Sequence, residues 1–398
     1  MGRVRRVIRA CIGLIIVLLL TFNFLVMASW PVKSRRDAIV QWILCGLKYH
    51  YRADTWSFWG ADVLTQYYAI STLIELDALN ELGDKLNKIV DYIINRNLAN
   101  IKTSPLSALC ETYFTLRLLE SLGLLDRLDR DIYIQYIQYI QCFYDPEKMM
   151  PDWQILPEFI YIVESLRMLE FKRLDWNHIV DWIIHCQILS GFHDYYDYLC
   201  NYGGFCRTPW RSLPFPATMN DTYIVISSLA EWNCLHRIIN VSALIRWIIK
   251  SKLMDGSYSD RVTWDICYVP EYERWERVAI GDLDYVNVVS TTKAVMLLHI
   301  LGKTSIVSSA TFKYILDCQK EEGYFADTPA RRKMALKKAI RNTYFAVKAL
   351  RALGKEGLLN EVFIFSATSG RRALLLGYTF SATSLLYYLK EQIEERRR

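Results

Sequence analysis

Two carboxylates one residue apart, Asp282 and Asp284, end a segment unusually rich in groups that can do chemistry. Between 256 and 289 the chain also places Asp260, Asp265, Glu271, Glu273 and Glu276. Tyr258, Trp264, Tyr268, Tyr272, Trp275 and Tyr285 alternate with them. Aromatic faces stack on the C–H faces of sugar rings, and paired carboxylates move protons, so carbohydrate is one substrate class this set suits. Asp282-Leu283-Asp284 also has the spacing to hold Mg2+ against a diphosphate. A polar, Tyr-rich rim loop with no ligand is the third reading.

Other single residues carry a chemical type without a full partner set. Asp221 follows Asn220 and precedes Thr222. Such an Asp is either an acid or an N-cap that closes a helix start. His193 lies in the run Gly191-Phe192-His193-Asp194, the one histidine away from a helical pattern, and suits a general base or an ordinary loop role. Arg331, Arg332, Lys333, Lys337, Lys338 and Arg341 form a cationic run that suits anionic lipid head groups or a solvated helix face.

Positioning these residues is the task of a repeat, which outranks any local signal because it fixes the architecture. Apolar helical runs end in His185-Cys186-Gln187 before Gly191-Phe192, in Lys250-Ser251-Lys252 before Gly256 and Tyr258, and in Asp317-Cys318-Gln319 before Gly323-Tyr324-Phe325. First helices open on Glu111-Thr112-Tyr113-Phe114, Asp221-Thr222-Tyr223-Ile224 and Asn342-Thr343-Tyr344-Phe345. Taking Tyr67, Tyr113, Ile160, Tyr223, Thr292 and Tyr344 as equivalent gives a unit of about 45 residues, lengthened by insertions at 191–220 and 256–289. First helices apolar on all sides belong inside, and amphipathic second helices outside. The expected fold is an all-α (α/α)6 toroid of helical hairpins around a central cavity, preceded by one N-terminal transmembrane or signal-anchor helix. A last inner-type helix is expected at 381–390.

The expected domains are an anchor over 1–37 and a toroid over 38–398. Arg3, Arg5, Arg6 and Arg9 precede the apolar stretch Cys11–Trp30, long enough to span a bilayer. A cleaved secretory signal ending near Val26-Met27-Ala28 is the alternative. The charge balance favours an N-terminus inside and a toroid outside the cytoplasm. A net charge of +6, spread along the chain without a basic arm, argues against nucleic acid as a partner. The 52% hydrophobic content over 398 residues supports one large core. Cys200 and Cys206 flank a loop and either pair after export or remain thiols.

The strings Gly203-Gly204-Phe205, Asp221-Thr222-Tyr223, Gln319 before Gly323 and Phe325, and Asn342-Thr343-Tyr344 resemble the terpenoid cyclase and protein prenyltransferase α/α-toroid repeat over most of 60–390. That resemblance implies an isoprenoid or other lipid-like ligand in the barrel. It also implies catalytic sets that are degraded here. The prenyltransferase zinc set needs a late His, but no His follows His299, and Asn342-Thr343-Tyr344-Phe345 stands at the matching helix start. Asp265-Ile266-Cys267 supplies one Asp-x-Cys pair, and Lys252–Tyr258 resembles the zinc segment with Ser257 in place of Cys. In Thr218-Met219-Asn220-Asp221-Thr222, Asn220 stands where a cyclase has its proton donor.

The reading is therefore a membrane-tethered toroid binding or processing an isoprenoid, without a resident cofactor or zinc. If the chain is an enzyme, its chemistry is prenyl transfer or cyclisation. Asp221, Asp282, Asp284 and His193 are its candidate catalytic groups. Tyr223, Asp255, Tyr258, Trp264, Tyr285 and Tyr344 are its candidate ligand contacts. The alternatives are an exported toroid using the 256–289 carboxylates on a glycan, and a scaffold whose loops grip a partner.

Overall fold

A computed structural model describes residues 34–50, 55–59, 62–141, 156–190, 199–207, 216–269, 274–331 and 333–361. Residues 36–360 form one compact unit. The stretch Cys11–Trp30, His193 and the helix expected at 381–390 lie outside the described residues. Among the described residues, no helix is long and apolar enough to cross a membrane.

Six helices make the inner wall: α2 (Val63–Glu75), α4 (Pro105–Leu122), α6 (Leu156–Met168), α8 (Met219–Glu231), α10 (Val288–Ile300) and α12 (Leu336–Ala352). Each packs on the next, and α12 packs on α2, so among the described residues the ring is closed. Outside it run α1 (Arg35–Cys45), α3 (Lys85–Thr103), α5 (Arg130–Gln141), α7 (Trp176–Ile184), α9 (Val241–Lys250) and α11 (Ser309–Asp317). Trp247 of α9 and Tyr133 of α5 are fully buried, as amphipathic outer helices require.

The recurring turn explains the sequence repeat. After α7, α9 and α11 the chain reverses and buries an aromatic side chain: Phe205, Tyr258 or Phe325, each fully inaccessible. The backbone N–H of that aromatic donates to a threonine in the N-terminal half of the following inner helix. Phe205 pairs with Thr222 at 3.1 Å, Tyr258 with Thr291 at 3.0 Å and Phe325 with Thr343 at 3.1 Å. A buried N–H without a partner is costly, so the threonine is fixed by the turn it serves. In the first repeat Gln66 takes this role, accepting from Phe58 N–H at 2.8 Å and donating to its carbonyl at 2.9 Å. Between α3 and α4, where there is no such turn, Asn97 Nδ2 donates to Thr112 Oγ1 at 3.1 Å.

The same turn closes the outer ring. Gly323 has φ +111°, and a Cβ there would collide with the Ala38 carbonyl of α1. Gly256 stands in the same relation to Ala310 and Thr311 of α11. Helix α1 therefore holds the outer position that follows α11, and the start of the described chain completes the hairpin of its last inner helix.

The fold is mostly helical, with two short antiparallel hairpins added to the toroid. Strands β1 (Leu47–His50) and β2 (Thr55–Phe58) form an antiparallel hairpin between α1 and α2. The 256–289 insertion holds a second hairpin, β3 (Val262–Val269) with β4 (Arg274–Gly281), in which Val262 faces Gly281 and Val269 faces Arg274. The alternation from Val262 to Tyr268 is a strand signal. Asp265-Ile266-Cys267 thus lies in a strand rather than at an inner-helix start.

Candidate functional site

The inner helices enclose a cavity of about 600 Å³, within the usual size of ligand sites. Its wall follows from the Thr-aromatic pattern. Successive residues on a helix turn by about 100°, so a threonine aimed outward at its turn sends its next two neighbours inward. Thr112 is buried and Tyr113 and Phe114 line the cavity; Thr343 is buried and Tyr344 and Phe345 line it. Tyr67 and Tyr68 follow Gln66 in the same way. Tyr161 lines the cavity from α6, and Ile160, the residue expected to be equivalent, points into the outer core instead.

These rings touch one another around the wall. Tyr113 stacks on Tyr161 with centroids 4.5 Å apart and planes at 20°. Tyr67 meets Phe114 at 4.8 Å and Tyr344 at 5.8 Å, and Tyr223 meets Phe345 edge-on at 6.1 Å. Burial pushes the phenols of Tyr67, Tyr68, Tyr113, Tyr161 and Tyr344 up, so they stay neutral donors.

Charge is sorted along the cavity axis. Towards the C-terminal ends of the inner helices, Arg117 bridges Glu164 at 3.2 Å and Glu120 at 3.1 Å, and also pairs with Glu231. Glu164 is fully buried and further bonded by Arg167 Nε and Trp232 Nε1. Lys348 donates to Tyr344 OH at 3.1 Å. Its ammonium is held above its usual range, first by the Tyr223 phenol, against the opposing effect of burial. Towards the N-terminal ends stand Asn220, Lys293 and Arg341. The Arg341 Nε is buried without a hydrogen-bond partner.

Of the residues expected from sequence, Tyr223 and Tyr344 line this cavity. Asp221, Asp255, Asp282 and Asp284 do not line it. Asp221 is fully buried, and its carboxylate accepts from Arg207 Nε at 3.1 Å and Asn220 Nδ2 at 3.2 Å. The cap of α8 is Thr218, whose Oγ1 accepts the Asp221 N–H at 3.0 Å, so the capping role expected of Asp221 belongs to Thr218. Asp282 closes a short turn by accepting the Asp284 N–H at 3.1 Å, and Asp284 is exposed. Asp255 is exposed and accepts from Ser257 N–H at 2.9 Å. Tyr258 is a core residue. Tyr285 sits at the rim, with the Arg261 guanidinium 4.5 Å over its ring. Trp264 lies in β3, its side chain outside the described part. Cys200 and Cys206 are thiols rather than a disulfide, and Cys206 Sγ faces the Cys186 carbonyl at 3.4 Å.

The resemblance to protein prenyltransferases raises the question of zinc, and the residues at the matching helix start do not fit it. Asn342 is fully buried and donates its amide to Asp327 Oδ1 at 2.9 Å. Among the described residues no group of three or more His, Cys, Asp or Glu is placed to share a metal.

Sequence reasoning missed Lys293, Arg341 as a cavity residue, and the Arg117–Glu164–Glu231 cluster. A lysine where Tyr68, Phe114, Tyr161 and Phe345 are aromatic and Ile224 is apolar was a legible signal; the cluster joins three helices and had none.

A family model for the prenyltransferase alpha-alpha toroid domain matches residues 128–330 and 279–369. Among solved structures, Candida albicans protein geranylgeranyltransferase-I complexed with GGPP is similar. Its TM-score is 0.53 at 13% identity, covering 82% of this chain and 96% of that one. No curated protein matches the sequence.

Proposed function

The chain belongs to the prenyltransferase α/α-toroid family, and from that premise we propose that its cavity binds or processes an isoprenoid or similarly apolar ligand. The observation that carries this reading is the aromatic lining of the cavity, Tyr67–Phe114 and Tyr113–Tyr161 on one side and Tyr223–Phe345 on the other. Such a wall takes an apolar chain by burial, and its ring faces favour positive charge. The ligand's polar head faces Asn220, Lys293 and Arg341. The geranylgeranyltransferase structure, whose description names GGPP, is consistent with this ligand class.

Tyr223 and Tyr344 are the residues expected from sequence that we assign to ligand contact. Asp221 is assigned to holding Arg207 and the start of α8. We read Cys11–Trp30 as a single-pass anchor that tethers the toroid outside the cytoplasm, which brings the cavity to a source of apolar ligands.

A photoactivatable isoprenoid alcohol tests the reading on the full chain in membranes. Labelling should fall on cavity residues of α4, α8 and α12 and be competed by unlabelled isoprenoid. Labelling confined to the outer helices would remove the reading.

A further inference from the structure

At α10 the pattern that builds the aromatic wall is broken. Where α4 and α12 place Phe114 and Phe345, α10 places Lys293. This lysine is only 7% exposed and lines the cavity, its Nζ donating to Asn220 Oδ1. The same nitrogen stands 4.7 Å from the centroid of Phe345 and 5.6 Å from that of Tyr223. Among the described residues no carboxylate oxygen lies within ion-pair distance of it. A permanent ammonium in such a place is costly, because water is replaced by ring faces and one amide oxygen.

We propose that Lys293 is an imine-forming amine, and that the cavity holds long apolar aldehydes or ketones as reversible imines on its Nζ. The inference rests on the cavity taking an apolar ligand and names the head group of that ligand. An anion would be served by a guanidinium, and Arg341 supplies one beside it; a nearly dry, unpaired amine is suited instead to attack on carbon.

The chemistry balances without an oxidant or reductant. The neutral Nζ lone pair attacks the carbonyl carbon, a C–N bond forms, and the C=O π pair moves to oxygen, which takes a proton as nitrogen loses one. The carbinolamine hydroxyl then takes a second proton and leaves as water while the nitrogen lone pair forms C=N. Loss of the remaining N–H proton completes a neutral imine. Asp260 fixes the residue that holds Nζ, because Asn220 accepts from Lys293 and donates its backbone N–H to Asp260. The Asp260 Oδ1 accepts that N–H at 3.0 Å, and burial raises the Asp260 carboxyl above the usual range.

Electrostatics separates the two cavity lysines. Burial lowers Lys293 to about 8, with Asp260 opposing, Arg341 reinforcing and Asp221 opposing. Tyr223 and Phe345 face it with their rings rather than with charge. Lys348 moves the other way and stays charged. The amine able to attack near neutral pH is therefore Lys293.

The experiment uses the full chain in membranes, farnesal as the probe and borohydride to reduce any imine to a stable amine. Peptide mass spectrometry should find the reduced adduct on Lys293, with a yield rising at least fivefold from pH 6 to 9. Lys293→Arg and Lys293→Met should abolish it, and Lys348→Arg should retain it. The photoactivatable alcohol is run in parallel on wild type and Lys293→Met. Cavity labelling by the alcohol without a Lys293 adduct overturns the imine and leaves the ligand reading standing. Adducts spread evenly over surface lysines also overturn it. Loss of cavity labelling in wild type overturns both.

Discussion

Tyr67 and Tyr344 bring their hydroxyl oxygens to 3.4 Å across 277 positions of sequence. The contact joins the first inner helix to the last and marks where the wall shuts. It is matched outside by the fit of the Gly323 turn on α1. Closure at both layers leaves a cavity whose lining is assembled from all six inner helices.

Gly323→Ala should open that closure. Its φ of +111° is unfavourable for any side chain, and the added Cβ meets the Ala38 backbone. A loss of at least about 2 kcal/mol is expected in chemical denaturation, together with faster proteolysis in α1. Unchanged stability would show that α1 is not held by this turn.

Thr222→Val and Thr343→Val should each cost about 1–3 kcal/mol, because the buried N–H of Phe205 or Phe325 loses its acceptor. Thr→Ser at the same sites keeps the hydroxyl and should recover most of the loss. Denaturant midpoints of the four variants decide it.

Lys293 sets a pH dependence of stability. Its folded pKa of about 8 lies below the ordinary lysine value of roughly 10.4. A group depressed on folding contributes stability above its unfolded pKa and loses it as pH falls through the folded one. Wild type should therefore gain stability between pH 8 and about 10.4 relative to Lys293→Met. Parallel stability curves over that window would contradict the burial of a titrating amine.

Tyr113→Leu and Phe345→Leu each remove one ring from the wall while keeping an apolar side chain. An aromatic contact contributes about 0.5–1.5 kcal/mol beyond burial, so ligand affinity should fall roughly 3- to 10-fold for each, read by competition against the photoactivatable alcohol.

The double variant Asp282→Asn, Asp284→Asn separates rim from cavity. Asp282 fastens a surface turn, so the expected cost is about 1 kcal/mol or less, with ligand affinity unchanged. A loss of affinity would move the site to the rim.

The Thr-Tyr-Phe starts at 112–114 and 343–345 and the Gly-aromatic turns were enough to derive a ring of hairpins. Each encodes a local necessity: an inward pair of rings, an outward hydroxyl, and a turn N–H that needs an acceptor. The helical period carries that information within a few residues. The β3–β4 hairpin was equally local, in the alternation from Val262 to Tyr268, which the acids and aromatics of the same segment overlie.

What tertiary structure alone decided is which of these residues share an environment. Nothing near residue 35 says that α1 will follow α11 in the outer ring. Nothing near residue 221 says that Arg207 will take the carboxylate of Asp221. Lys293 reads in sequence as one charge on an apolar helix; it becomes a desolvated amine only when α8 and α12 bring Asn220, Tyr223 and Phe345 against it. Helix and turn formation depend on neighbours along the chain, whereas burial, pKa and pairing depend on groups far apart in sequence, and these become neighbours only when the ring closes.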